Sequence, residues 1–325
     1  MLSFLIRRLN LLLITAFILT IIAFVIDRTV AINYEATELL QENYISQYVS
    51  YLWHILSGNL GYSAIDDKGL LERGLVFFAS TLELCFVALL FSCLIAIPLG
   101  LLAGLFRNTK LDYMIMTIAI IGLALPVFWV GVMAVLLPSV GGDILPVDGN
   151  LSLVYDIPVV TGFLLIDTLL VTEQYGFFAF IDRIAHLILP ALVLSFFLVA
   201  EIVRLTRHSM TMVMRSNYIQ TAYAKGFSRT KIVFTHALQN ALPPIIPQLR
   251  LQLSTIISFA MTIEIVFNLN GIGKWLFTSL KSGDYLVLPA GMLIISGFIL
   301  IFSIAIEVFM VLISPLRRGS LYVDK

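Results

Sequence analysis

Three carboxylates, Glu83, Glu264 and Glu307, stand inside or at the edge of long apolar runs. A carboxylate in hydrocarbon is costly, so each needs a partner or a purpose. Two chemistries are open to Glu83 and Glu264. They line a polar path that attracts positively charged groups, or they hydrogen-bond at a helix edge. Glu307 lies near the end of its run, where a long side chain reaches the interface. A second constellation is the polar island Asn217-Tyr218-Ile219-Gln220-Thr221-Ala222-Tyr223-Ala224-Lys225-Gly226, set between two apolar runs. Its composition suits a short exposed helix stopped at Gly226, a lever on which a partner can push. The other reading is a solvated basic loop held near anionic headgroups.

Catalytic signatures are missing. There is no His-Glu-x-x-His helix and no Gly-x-Ser-x-Gly elbow, and His54, His186, His208 and His236 are too far apart for a local metal motif. Gly271-Ile272-Gly273-Lys274 resembles a phosphate loop only faintly. Asn268 stands where the first glycine is needed, and Trp275 replaces the Ser or Thr. The chain is not expected to be an enzyme or to hydrolyse ATP, and no cofactor is expected within it. Cys85 and Cys93 fall in one apolar run and read as buried thiols rather than a disulfide.

The elements that position these residues follow from composition. With 60% hydrophobic and 12% charged residues in 325, and a mean hydropathy of +1.00, the chain is too apolar for water. Apolar runs at 9 to 26, 80 to 106, 113 to 137, 184 to 203, 246 to 268 and 286 to 312, with few charges, are long enough to cross the bilayer as helices. The expected fold is an all-α integral membrane protein with six transmembrane helices. Its parts are an anchor helix at 1–29, an outer segment at 30–76 and a five-helix core at 77–325. That core carries an outer loop at 138–183 and a cytoplasmic loop at 204–242. Residues 157 to 171 are apolar but short and interrupted by Asp167, so they pack over the outer mouth instead of spanning. In the outer segment, Tyr44, Tyr48, Tyr51, Leu52 and Ile55 recur at helical spacing and give one apolar face.

Net charge is zero, but it is segregated. Arg7, Arg8, Arg107, Lys110, Arg204, Arg207, Arg215, Lys225, Arg229, Lys231, Arg250, Arg317, Arg318 and Lys325 fall on one side. Against them that side holds only Asp112, Glu201 and Asp324, while Asp27, Glu35, Glu38, Glu42, Asp66, Asp67, Glu72, Asp143, Asp148, Asp156, Asp167, Glu173 and Asp182 fall on the other. Positive loops mark the cytoplasm, so both termini are expected there. Pro98, Pro126 and Pro190 sit within spans and favour kinks, and Gly100 and Gly104 form a small-xxx-small face for a second helix of this chain or of another subunit.

The cytoplasmic island carries a family resemblance. Tyr218, Thr221, Ala222, Ala224, Lys225 and Gly226, followed by His236-Ala237-Leu238, Asn240-Ala241-Leu242 and Pro244, resemble the coupling loop of permease subunits in ATP-binding-cassette importers of the dipeptide and oligopeptide family. Phe4 to Leu9, Gly58-Asn59-Leu60-Gly61, Thr81-Leu82-Glu83-Leu84, Pro126-Val127-Phe128-Trp129 and Glu264-Ile265-Val266-Phe267 extend the resemblance along nearly the whole chain. Within the family, Leu145-Pro146-Val147, Leu153-Val154-Tyr155 and Thr161 to Asp167 are most similar to the Sap-type subgroup, associated with antimicrobial peptide uptake and resistance. Two departures stand out. Gln220 replaces an acidic residue, and Asn268-Leu269-Asn270 replaces an aromatic-Pro turn.

The resemblance implies a type I importer permease in a bacterial inner membrane. Its partners would be a second homologous permease, two ATPase subunits that bind the ATP and Mg, a periplasmic substrate-binding protein, a peptide and the surrounding lipid, with no nucleic acid. Asn217, Tyr218, Gln220, Thr221, Ala222, Ala224, Lys225 and Gly226 would form the ATPase-coupling segment. Glu83 and Glu264 would face a cationic peptide. Alternatives within the fold are dipeptides, haem or polyamines as cargo, including putrescine export. The competing class is a self-sufficient ion-coupled transporter, whose inverted repeat is not visible.

Overall fold

A computed structural model describes residues 2–33, 43–141, 145–243 and 246–313. In chain order its elements are α1 (Leu2–Asn33), α2 (Tyr44–Leu56), α3 (Leu70–Leu105), α4 (Lys110–Ala124), α5 (Val127–Gly141), α6 (Leu164–Leu170), α7 (Thr172–Tyr175), α8 (Phe178–Met214), α9 (Asn217–Ala224) and α10 (Arg229–Lys231). A π-helical turn, Ile232–Ala237, leads into α11 (Leu238–Ala241), followed by α12 (Ile246–Val266), α13 (Ile272–Ser282) and α14 (Val287–Ile313). Apart from one isolated antiparallel bridge, Tyr62 to Gly69, the regular structure among the described residues is helical. The side chains of Arg7, Arg8, Arg250, Glu307, Arg317, Arg318 and Lys325, and those of Glu35, Glu38, Glu42, Asp143 and Pro244, lie outside the described residues.

Four helices are long and apolar enough to cross a membrane: α1 over Asn10–Thr29, α3, α8, and α14 over Val287–Ile306. The expected run at 113 to 137 is not one rod. It breaks into α4 and α5, bent by 93°, and counts as a fifth span only if the pair is taken together. Pro126 explains the break: it offers no backbone donor, and it forces Leu125 to extended angles, φ −83° and ψ 130°. The remaining expected span falls on α12, whose described apolar stretch is Gln252–Val266, so six crossings are not established. Two boundaries also move. The helix of the second expected span, α3, starts at Leu70 rather than near 80, and α8 runs to Met214, so the start of the expected cytoplasmic loop, 204–214, is helical.

The chain divides into two compact units, residues 1–80 with 271–325, and residues 81–270. In the first, α1 packs along α14 and carries α2. The tyrosine spacing read from the sequence is the contact face. Tyr48 bonds Thr20 at 2.8 Å, the Tyr48 and Tyr51 rings pack on Phe24, and Arg28 donates to Gln47 Oε1 at 2.7 Å while lying over the Tyr44 ring. Asp284 fastens the segment before α3, accepting from the Ser63 hydroxyl at 2.5 Å and the Ala64 amide at 3.1 Å.

In the second unit, α8 is the central element, with α4, α5, α6, α11 and α12 packed on it. The glycine pair of α3 also meets α8. A Cβ on Gly100 would stand 2.5 Å from Thr206 Cβ, and one on Gly104 would stand 2.7 Å from Met210 Cβ. The small-residue face is therefore used within this chain. Arg207, expected in a solvated loop, instead grips Asp112 with both arms at 2.5 and 2.7 Å, and Asp112 also accepts from the Asn108 amide at 2.9 Å.

Candidate coupling surface and buried carboxylates

The polar island folds as a helix, as predicted, with two of its apolar residues on one side. Ile219 and Ala222, three apart on α9, are buried in a cluster with Met210, Ile232, Val233, Ala237 and Ala241, against Leu101, Leu105, Val213 and Met214. Asn217, Tyr218, Gln220, Thr221, Ala224, Lys225 and Gly226 are exposed. Ala222 thus seats the helix, and Ile219, absent from the sequence motif, shares that task. The helix is stopped as a left-handed glycine stops one. Gly226 has φ +81° with open space at its Cβ position, and its amide donates to the Tyr223 carbonyl at 2.9 Å.

A basic residue links the far end of the island to α3. The Arg229 guanidinium donates to the Leu105 carbonyl at 3.1 Å and lies 5.0 Å from the Phe106 ring. Leu105 ends α3, so Arg229 satisfies a carbonyl that has no partner within the helix. Arg229 thus makes contacts within its own chain.

Glu83 and Glu264 are both buried, at 4% and 1% exposure, and each has a donor. Glu83 Oε1 takes Arg183 Nε at 2.8 Å, and the Leu165 amide approaches both carboxylate oxygens at 3.3 Å. Arg183 spends a further donor on the Asn150 carbonyl at 3.0 Å. Glu264 accepts from the Thr81 hydroxyl at 2.5 Å. The outer loop around them is knotted by carboxylates. Asp167 accepts the amides of Val160, Thr161 and Gly162 and the Thr161 hydroxyl, while Asp182 takes the amide and hydroxyl of Ser152. Arg183 was missed in the sequence, yet it had a signal: it is the one basic residue in the expected outer loop 138–183, and it heads an apolar run. Among the described residues no three His, Cys, Asp or Glu side chains gather as a metal site.

The Asn268 departure also has a reason. Asn268 adopts φ +54° just beyond α12, where the Leu269 amide returns to the Glu264 carbonyl at 2.8 Å. Asparagine tolerates this left-handed cap.

Residues 96–319 match the family described as the binding-protein-dependent transport system inner membrane component. The chain belongs to that family. It is 37% identical over 336 residues to a di/tripeptide transport system permease protein, DppB, of Pseudomonas aeruginosa, covering 98% of this chain and 99% of the relative. It is 33% identical over 324 residues to the putrescine export system permease protein SapB of Escherichia coli, covering 99% of each. Among solved structures, inward-facing MetNI, a methionine ABC transporter, aligns with a TM-score of 0.55 at 18% identity, over 75% of this chain and 96% of that one. The likeness is one of fold. The inner membrane component so defined has its coupling-like helix α9 and its outer loop at opposite ends of α8. At 37 residues, α8 separates them by about 55 Å.

Proposed function

We propose that the chain is a transmembrane subunit of an ATP-driven importer of peptides, and that α9 is where its ATPase docks. The observation that carries this reading is the two-sided construction of α9. An exposed polar face rests on an apolar seat shared with the ends of α3 and α8, so a push on the face moves two long helices. ATP and Mg belong to two ATPase subunits. A second, homologous permease completes the pathway, and a periplasmic binding protein delivers cargo to the acidic side. Both termini are cytoplasmic, and the crossings number six when α4 with α5 and α12 are each counted. Peptide cargo is supported by the DppB relative, and cationic cargo by the acidic outer residues. The SapB relative favours polyamine export as a second reading.

Glu83 is occupied by Arg183 and the Leu165 amide, which supports a role in holding the outer loop.

The test is purification of the tagged chain in mild detergent, with co-purifying proteins identified and ATP hydrolysis measured, for wild type and Gly226→Pro. Proline fixes φ near −65° and removes the amide that reaches Tyr223, so the variant distorts the end of α9. Recovery of ATPases with wild type, and hydrolysis lowered about tenfold or more in the variant, is the expected result; an effect of that size corresponds to roughly 1.4 kcal/mol of coupling. A lone chain that transports without ATP would sink the reading. Vesicle uptake of dipeptides and cationic peptides, set against putrescine efflux, separates the cargoes.

A further inference from the structure

Among the fully buried carboxylates, Glu83, Asp112, Asp167, Glu264 and Asp284 each have a named donor. Asp27 is the contrast. It stands near the end of the α1 span, half-buried, with no hydrogen-bond or ion-pair partner among the described residues. Its neighbour Arg28 does not neutralise it, being engaged by Gln47 and the Tyr44 ring. Asp27 opens instead onto a cavity of about 240 Å³ within the first unit, walled by Tyr51, His54, Asn59, Pro289 and Leu293. An uncompensated carboxylate away from bulk water attracts a cation strongly. Burial, with Asp27 and Tyr48 nearby, pushes the Tyr51 phenol above its ordinary range, so Tyr51 stays a neutral ring at the cavity wall.

We propose that this cavity binds a primary ammonium group, with Asp27 as its counter-ion and the Tyr51 ring as an aromatic wall. The volume lies below the roughly 300–1,000 Å³ of drug-sized pockets, which suits a small amine head rather than a whole peptide. The Asp27 carboxylate accepts N–H hydrogen bonds that a primary ammonium donates and a fully methylated one lacks, and the aromatic face adds attraction for the cation. Two sources present that chemistry: a soluble amine, and the ethanolamine headgroup of a phospholipid at the membrane surface.

The experiment uses the purified full-length chain. Its thermal midpoint is followed with ethylammonium chloride against tetramethylammonium chloride at equal ionic strength. It is then followed in nanodiscs of phosphatidylethanolamine against phosphatidylcholine. A ligand that binds only the folded chain raises the midpoint saturably with its concentration. The expected result is a rise with a primary ammonium that is absent in Asp27→Asn. A rise with ethylammonium assigns the site to soluble amines, and a rise only in phosphatidylethanolamine assigns it to the headgroup. Equal responses to the primary and the fully methylated ammonium in both formats, or equal responses of wild type and Asp27→Asn, would overturn the proposal. Should Asp27→Asn fail to fold, Tyr51→Leu keeps the carboxylate and removes the ring. It is expected to weaken ethylammonium or headgroup binding about two- to five-fold, and unchanged affinity would be fatal.

Discussion

Glu83 and Arg183 show what a buried ion pair demands. Both side chains are almost wholly buried, at 3% and 1%, so loss of either leaves the other's charge unpaired. Breaking such a pair from one side costs about 3–5 kcal/mol, whereas replacing both with apolar residues is often neutral. Arg183→Met is therefore expected to lower the thermal midpoint sharply, and Glu83→Leu combined with Arg183→Met to recover most of it. If the double variant still transports, Glu83 serves the loop and not the pathway; a loss of transport in a stable double variant would return it to the pathway. Thr206 offers the opposite case. Its side chain is buried, with Cβ and Cγ2 against Gly100, and its hydroxyl has no hydrogen-bond partner among the described residues; a buried unsatisfied polar group costs about 1–3 kcal/mol. Thr206→Val is expected to raise the midpoint or leave it unchanged, as a melting curve would show. The carboxylates were visible in the sequence as charges in apolar runs. Their partners were not, because Glu83 and Arg183 are a hundred residues apart and only the packing of α3 beside α8 brings them together.

Among the elements, α9 and α2 were both legible, each from apolar residues at helical spacing, but spacing says nothing of what the remaining faces meet. On α2 the tyrosine face seats on α1. The opposite stripe, Ile45, Val49, Trp53 and Leu56, is 58 to 81% exposed, and the 13-residue helix carries no Asp, Glu, Lys or Arg. Tyr48 reaches Thr20, roughly midway along the apolar segment Asn10–Thr29, so α2 lies beside hydrocarbon-facing surface. A stripe so placed gains by burial about 25 cal/mol per Å² of apolar area. Trp53 emission, isolated by difference from Trp53→Phe, is expected to be quenched by lipids brominated on their acyl chains; emission unchanged from that in ordinary lipid would place the stripe in water or under protein. The break at Pro126 and the α3 to α8 seam carry a related lesson. Proline and paired glycines were plain in the sequence, while the bend of 93° and the identity of the partner helix needed the fold.

At the scale of the whole molecule, the strongest sequence signal was charge. It rests on the tendency of basic loops to be retained in the cytoplasm while acidic ones cross. It says nothing of which basic residues work within the chain: Arg207 clamps the start of α4 and Arg229 caps α3. Orientation is testable at the two ends of α8. Leu153 on the outer loop and Gln220 on α9 are both exposed and stand at opposite ends of that helix. Native thiols interfere little, since Cys85 is buried in an apolar run and Cys93 is only partly exposed. In intact spheroplasts, Leu153→Cys is expected to react with a membrane-impermeant maleimide while Gln220→Cys reacts only after permeabilisation. The reverse pattern would place α9 outside, where no cytoplasmic ATPase reaches it, and the proposed drive would have to be sought elsewhere in the molecule. Equal labelling of both would mean that one of these surfaces is not separated by the bilayer from the other, against a helix whose 37 residues exceed the span of the hydrocarbon core by nearly twofold.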